Sequence, residues 1–313
     1  LTRIFLDVQP HVVVVPGPGL YSLAGFWLAG KLGIPVCVTY QTDYQRLAQL
    51  YFKGGIGRVV GHLMDRLNRV MSRRAQSVVT ISDHMMALAE ASGIHDARLV
   101  GTSVARTFMD RPPTPPREHL QSILYVGRLA AEKNIEAFLE LAGQRPDLSF
   151  HIAGDGPLRG AVEQAARTLD NLHVHGWLPR TAIIDWLDHV DALILPSSVE
   201  AFGTVALEAM ARQRLVLTSP HCGINQWPEL SRALFRVQDD ESLGQAIQRI
   251  EALPTEERQA CARTARHAAV SVNEGAVNQW LEVLTQTATK PLSGTAHRPS
   301  GTLALLRRLD SHQ

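Results

Sequence analysis

Short runs of β-branched and apolar residues alternate along this chain with longer stretches in which apolar positions recur every three or four residues. Repeated βα units produce this pattern when they build a parallel sheet. In the first part the apolar runs predict strands at 12–15, 36–40 and 78–81, a weaker one at 98–100, and helices that include 21–32 and 57–74. Arg111-Pro-Pro-Thr-Pro-Pro-Arg117 then sets four prolines in five positions, which neither a helix nor a central strand can absorb, and marks a boundary. Beyond it, strands at 123–126, 150–153, 173–175, 192–195 and 216–218 follow at intervals of about 20 to 25 residues, the rhythm of a doubly wound unit. Helical patterns at 240–252, 255–269 and 274–286 come after them. The expected fold class is α/β, with two Rossmann-like parallel-sheet domains. Residues 1–112 form a partial first domain, 113–119 a proline-rich linker, 120–270 a complete second domain and 271–289 a C-terminal helix. The segment 290–313 is expected to be a poorly ordered tail until about 303–309.

Composition removes several classes. At 313 residues the chain suits two domains better than one, and its formal charge of +1 supplies no basic field for nucleic acid. Cys37, Cys222 and Cys261 are odd in number, far apart and without metal-ligand spacing, which points to a reducing, cytoplasmic compartment. Residues 8–30 carry no charge and are long enough to span a bilayer. However, Pro10, Pro16 and Pro18 with Gly17 and Gly19 divide them into a strand, a turn and a helix. The chain begins with Leu1 and shows no basic-then-apolar leader, the expectation for a fragment or a processed form.

The chemistry concentrates in Asp191 to Met210, DALILPSSVEAFGTVALEAM, where an apolar strand runs through a turn into a helix. Glu200 and Glu208 therefore stand at the carboxyl end of a parallel strand, the edge at which open α/β sheets bind ligands. A simpler reading competes: Ser197 with Glu200 three residues later is also a capping-box pattern. On a helical wheel, Val205, Ala206, Ala209 and Met210 fall within about 140°, and Glu208 lies about 60° outside them, where a carboxylate is ordinarily solvated. After the first strand of the second half come Gly127, Arg128 and, five residues on, Lys133. A guanidinium fork and a mobile ammonium suit a diphosphate and a leaving group that gains negative charge. Ala153-Gly154-Asp155-Gly156-Pro157 follows a strand as a tight turn, and His175-Gly176-Trp177-Leu178-Pro179 ends the next strand, where exposed backbone could pair with a nucleobase edge.

Taken in order, YVGRLAAEKN, HIAGDGPLR, VHGWLP and DALILPSSVEAFGTVALEAMA resemble the donor-binding domain of the family-4 retaining glycosyltransferases over residues 120 to about 220. TYQTDY at 39–44 and SVVTISDHM at 77–85 are similar to the family's acceptor-side domain. The resemblance implies the GT-B architecture, two such domains facing a cleft, the first incomplete in this chain. It implies that Arg128 and Lys133 hold the donor diphosphate, that Glu208 meets the ribose hydroxyls and that Glu200 faces the donor sugar. Gly127, Phe202, Gly203 and Thr204 then belong to the loops around sugar and phosphate, and Glu200, Arg128 and Lys133 carry the transfer. It further implies retention at the anomeric carbon, no cofactor beyond a UDP- or GDP-type sugar donor, no essential metal, and a lipid or saccharide acceptor. Three positions depart from the family: Pro16-Gly17-Pro18-Gly19 stands where a histidine motif is usual, Gly101 to Ala105 replaces Asn-Gly-Val-Asp, and Cys222-Gly223 replaces a double glycine. No general base is assigned.

Residues 58–74 read as an amphipathic helix. Val59, Val60, Leu63, Met64, Leu67, Val70 and Met71 form one face, expected to pack inward, and His62, Arg66, Arg69 and Arg73 form the other. The basic face suits anionic lipid headgroups, a peripheral position on the inner side of the cytoplasmic membrane. Two alternatives stand beside the transferase. One is a catalytically silent sugar-nucleotide-binding relic. The other is a nicotinamide-dependent oxidoreductase, supported by Gly17-Pro18-Gly19 and Asp43 but lacking a third glycine at Ser22 and leaving the charged quartet unexplained.

Overall fold

A computed structural model describes residues 1–52, 55–114 and 116–290. The tail expected over 291–313 lies outside the described residues. The chain divides into two compact units, one of Leu1–Val100 with the chain from Val277, the other of Gly101–Ala276. In the first unit, β1 (Val13–Val15), β2 (Val36–Tyr40), β3 (Ser77–Thr80) and β4 (Ala97–Leu99) form a parallel sheet in that order. Around them lie α1 (Thr2–Val8), α2 (Leu20–Leu32), α3 (Tyr44–Tyr51), α4 (Gly55–Arg74) and α5 (Asp83–Ala91).

The second unit opens with α6 (Thr107–Asp110) and contains β5 (Ser122–Val126), α7 (Ile135–Gln144), β6 (Ser149–Ala153), α8 (Arg159–Ala166) and β7 (Leu172–Gly176). It continues through α9 (Arg180–His189), β8 (Ala192–Leu195), α10 (Thr204–Ala211), β9 (Leu215–Thr218), α11 (Pro228–Ser231), β10 (Phe235–Arg236) and α12 (Leu243–Glu251). The sheet is parallel throughout, in the order β10-β9-β8-β5-β6-β7. The chain winds outward from β5 to β7, crosses back to β8 and winds the other way, so the order reverses between β5 and β8. Its core joins the strands to the helices on one face through Tyr125, Phe138 and Phe150, whose rings meet at 5.7 and 5.4 Å.

Each strand read from sequence is present within a residue of its expected limits, whereas several elements escaped the pattern, β10, α1 and α3 among them. β10 has only two residues, too short for any periodicity. α1 lies in a stretch that mixes charges with apolar residues. α3 is set by its cap, the Asp43 carboxylate accepting from the Arg46 N–H at 3.0 Å. The helices expected at 255–269 and 274–286 are one 35-residue helix, α13 (Thr255–Thr289). The β-branched run Val270-Ser-Val-Asn273 reads as a break. Burial of Val272 and the bond from the Val104 N–H to Asn273 Oδ1, 2.8 Å, override that weak local preference.

Residues 101–112, grouped with the first domain by sequence, pack with the second unit. Prolines cannot pair in a sheet, so buried guanidiniums take the carbonyls of this segment instead. Arg212, fully buried, donates to the carbonyls of Phe108, Arg111 and Pro112 at 3.2, 2.5 and 2.9 Å and forks onto Asp188 at 2.8 Å. Arg214 reaches the Thr114 carbonyl and Arg258 that of Glu118. The expected linker, 113–119, is thus docked at Thr114, Arg117 and Glu118.

An unusual cluster lies on β6 and β7. His151 and His173 are cross-strand partners, and His151 Nδ1 is 3.2 Å from His175 Nε2. Trp186 of α9 covers both His151 and His175, with His189 against its edge. Burial, then the neighbouring imidazoles His173, His175 and His189, depress His151 from 6.5 to about 4. The unfolded chain therefore binds the extra proton first. The stability from neutral His151 is complete above pH 6.5 and is lost as pH falls towards 4. Urea titrations across this window should show His151→Gln losing less stability than the parent on acidification; equal slopes would remove His151 from the acid response.

Candidate functional site

The loops that leave the carboxyl ends of β5 and β8 meet where the strand order reverses, the position at which open α/β sheets hold ligands. After β5, Gly127 and Arg128 lead into a short 3-10 turn, Ala131–Lys133, before α7. After β8, residues 196–203 lead into α10. The two loops are tied by backbone: the Ser198 and Val199 N–H groups donate to the Glu132 carbonyl at 2.9 and 3.2 Å, and Asn134 Nδ2 donates to the Pro196 carbonyl at 3.2 Å. This frame brings Lys133 Nζ to 2.5 Å from Glu200 Oε2. A cation and a carboxylate 67 residues apart are therefore one polar centre.

Glu200 is not a helix cap. α10 starts at Thr204 with Gly203 at its N-cap in the left-handed region, φ 101°, so the Ser197–Glu200 capping box is absent and the Ser197 hydroxyl is buried without a hydrogen-bond partner. Glu200 instead pairs with Cys222 in an isolated parallel bridge, its carbonyl accepting from the Gly223 N–H at 2.9 Å. Close approach requires glycine here, since a methyl on Gly223 would overlap the Ala201 carbonyl. Phe202 is buried and meets Trp227 edge-on at 6.1 Å, so its ring anchors the loop while the first N–H groups of α10 begin at Gly203 and Thr204.

Glu208 departs from its expected solvation. Every residue from Ala206 to Ala211 is buried, because α10 is packed between β8, β9 and α6, and Glu208 is 8% exposed. Burial raises its carboxyl from 4.5 to about 7, against the opposing field of Arg180. Among the described residues no hydrogen-bond donor reaches this carboxyl. A half-titrated carboxyl with free acceptor capacity suits a ligand's hydroxyl groups.

Arg128 is displaced from the Lys133–Glu200 pair. Its guanidinium lies 4.0 Å from Glu132 and its residue lines a cavity of about 330 Å³ with Gly127, Gly154, Asp155, Trp177 and Ile183. The turns after β6 and β7 build this cavity. A methyl on Gly154 would overlap the Gly127 carbonyl and one on Gly156 that of Leu129, so the loops after β5 and β6 touch backbone to backbone. Trp177, 73% exposed, stands at the cavity's margin. Two contributors escaped the sequence reading: Glu132, whose carbonyl joins the loops, and Arg180, which faces Glu208. Neither sits in a distinctive spacing. Among the described residues no three His, Cys, Asp or Glu side chains converge as a metal site.

The model of the glycosyl transferases group 1 family matches residues 109–268, and that of the glycosyl transferase 4-like domain matches residues 1–104. The chain belongs to the group 1 glycosyl transferases. It is 33% identical over 264 residues to the alpha-D-kanosaminyltransferase of Streptomyces kanamyceticus, covering 72% of this chain and 67% of that protein. It is 29% identical over 253 residues to the 2-deoxystreptamine glucosyltransferase of the same organism, covering 70% and 65%. The GDP-mannose-dependent alpha-mannosyltransferase of Mycolicibacterium smegmatis is 27% identical over 209 residues, 65% of this chain and 54% of that protein. The chain thus spans about half to two thirds of the length of these relatives. Among solved structures, the sucrose-phosphate synthase of Thermosynechococcus elongatus aligns with a TM-score of 0.72 at 19% identity, over 91% of this chain and 75% of that one. Anabaena HepE in complex with UDP and glucose gives 0.69 at 16%, over 91% and 80%. The fold of this glycosyl transferase is GT-B.

Two glycine substitutions test the packing argument. Gly223→Ala should destabilise the second unit by about 1–3 kcal/mol through overpacking against Ala201. Gly160→Ala, in exposed helix α8 with nothing near its added methyl, should stabilise by about 0.5–1 kcal/mol. Denaturant midpoints measure both, and a neutral Gly223→Ala would refute the close approach.

Proposed function

We propose that this transferase moves a sugar from a UDP- or GDP-type nucleoside diphosphate donor to a lipid or saccharide hydroxyl, with retention at the anomeric carbon. The observation that carries the proposal is the Lys133–Glu200 pair, held across the reversal of strand order and followed one helical segment later by the buried Glu208. Glu208, ionised, accepts from the two ribose hydroxyls. Lys133, with Arg128 from the cavity side, draws towards the diphosphate and leaves Glu200 to face the sugar hydroxyls. The N–H groups at Gly203 and Thr204 add the positive end of α10.

The bond from the anomeric carbon to the donor phosphate breaks with its electron pair leaving on the phosphate oxygen. The acceptor oxygen bonds to the same face, and its proton passes to the departing phosphate. Lys133 and Arg128 stabilise the charge that builds there, so the proposal assigns the reaction no resident metal. The relatives' names support the donor class: one is GDP-mannose-dependent, and HepE is solved with UDP. One of these relatives is named a 2-deoxystreptamine glucosyltransferase, which supports a polyhydroxylated acceptor. The free thiols of Cys37, Cys222 and Cys261 agree with a cytoplasmic setting.

Calorimetric titration with UDP, GDP and NADH tests the donor site. One nucleoside diphosphate should bind, Glu208→Ala should weaken it at least about tenfold and Lys133→Ala or Arg128→Ala by about three- to tenfold. Binding of NADH alone would overturn the reading.

The titration of Glu208 gives a second outcome. With its carboxyl raised to about 7, donation from two hydroxyls first requires loss of a proton. Affinity should therefore rise between about pH 6 and 8 and level off above, whereas Glu208→Gln should bind weakly with a flat profile. A parent profile as flat as that of the variant would detach Glu208 from the ribose.

A further inference from the structure

The face of α4 that the sequence pattern assigns to the interior is turned outward in part: Val59, Leu63 and Val70 are exposed and Val60, Met64 and Leu67 half-buried, whereas Met71 is buried in the core. The buried positions of this helix are Gly57, Gly61, Asn68, Met71 and Ser72. Gly57 and Gly61 let α3 lie directly against it, since a methyl on Gly57 would come within 2.7 Å of the Phe52 carbonyl and one on Gly61 within 2.9 Å of Gln45 Cα. Small residues thus take the packing face. Ile56, Val59, Leu63 and Val70, at intervals of three, four and seven, are exposed by 64, 69, 52 and 40%. Beside them at the hairpin end of α3 stand exposed Leu50, Tyr51 and Phe52.

At about 100° per residue, Arg58, His62, Arg66, Arg69 and Arg73 form a second stripe adjoining the apolar one, and all five are exposed. The sole carboxylate on α4, Asp65, is half-buried and bonded to Gln45 of α3. Arg73 donates to the Ser92 carbonyl at 2.9 Å, while Arg58 and Arg66 have no ion-pair partner among the described residues. An apolar strip running alongside a row of exposed arginines, with no acidic side chain between them, is complementary to an anionic lipid leaflet: acyl chains take the strip and phosphates take the arginines. A soluble protein partner would have to match both stripes along the helix, whereas a lipid surface matches them by its own layering. Among the described residues no helix is long and apolar enough to cross a membrane, so this contact lies in the plane of the interface.

We propose that the α3–α4 hairpin docks on an anionic membrane surface, inserting Ile56, Val59, Leu63 and the Leu50–Phe52 end of α3 while Arg58 and Arg66 meet lipid phosphates. The assignment stands apart from the donor site, which lies in the other unit. Co-sedimentation with phosphatidylcholine vesicles containing about one third phosphatidylglycerol tests it. The whole chain should pellet with these vesicles, less as salt is raised, and remain largely in solution with phosphatidylcholine alone. Val59→Asp/Leu63→Asp and, separately, Arg58→Glu/Arg66→Glu should each cut the bound fraction at least about fivefold. Both changes are on exposed side chains, and unchanged circular dichroism and nucleotide binding verify the fold. Three outcomes overturn the proposal. The parent does not pellet with anionic vesicles; the variants bind as it does; or sedimentation velocity shows the parent self-associating through this face and Val59→Asp/Leu63→Asp monomeric, which gives the face to a second copy.

Discussion

The candidate site depends on backbone touching backbone at the carboxyl edge of the second sheet. Side chains cannot separate the loops after β5 and β6, because Gly154 and Gly156 lie against the carbonyls of Gly127 and Leu129 with no room for a methyl. The loops after β8 and β9 are closed in the same way by Gly223 against Ala201, and the Glu132 carbonyl joins the two groups of loops. Rigid contact of this kind fixes the Cα positions of Arg128, Lys133 and Glu200 before any side-chain interaction is counted. The short Lys133–Glu200 contact follows from that frame and does not create it. An isolated, largely buried ion pair gives back much of its attraction as desolvation and does not by itself hold two loops together.

A second constraint sets what belongs to the unit that carries the site. A proline-rich segment offers carbonyls without the N–H groups that would pair them in a sheet, and leaving them buried and unpaired would be costly. Arg212, Arg214, Arg258 and Arg266 supply donors to this segment, and Asp188 neutralises one of the buried charges. The segment between the sheets therefore behaves as part of the second unit and, through α6, helps to cover α10. Burial of α10 in turn is what lifts the Glu208 carboxyl towards neutrality.

Strand positions were legible in the sequence because parallel strands buried on both faces, such as β2, β8 and β9, read as continuous apolar runs, whereas the partly exposed β4 and β7 gave shorter or more polar ones. The site was legible as motif letters, Gly127 to Lys133 and Glu200 to Glu208, but its arrangement was not. Lys133 and Glu200 are neighbours only through the strand order, which no local pattern encodes. Helical faces were the least legible. On α10, the wheel put Glu208 outside the apolar stripe, yet packing on both sides buried it. On α4 the inference failed in the opposite sense, because Gly57 and Gly61 determine the close face of a helix pair while carrying no hydrophobic signal. In both cases the pattern describes what a side chain prefers, and neighbouring elements decide what it meets.

Charge in the site is also balanced in a way that bears on stability. Lys133 answers Glu200 at 2.5 Å, whereas Glu208 has only the more distant Arg180 and pays for its burial with a carboxyl raised to about 7. Near neutral pH this residue is a net cost to the folded chain, since ionising it there is harder than in the unfolded state. A glutamine or leucine would relieve that cost, and Ala206, Leu207, Ala209 and Met210 around it show that α10 is otherwise built of apolar residues. A buried carboxyl without a donor on an apolar helix is what a site looks like when a ligand brings the missing hydrogen-bond donors, because the stabilisation forgone in the free protein is recovered on binding. The Ser197 hydroxyl, buried without a partner, lies in the same loop system but on an element that packing already holds; Glu208 differs in having its acceptor oxygens within reach of solvent and its titration near physiological pH.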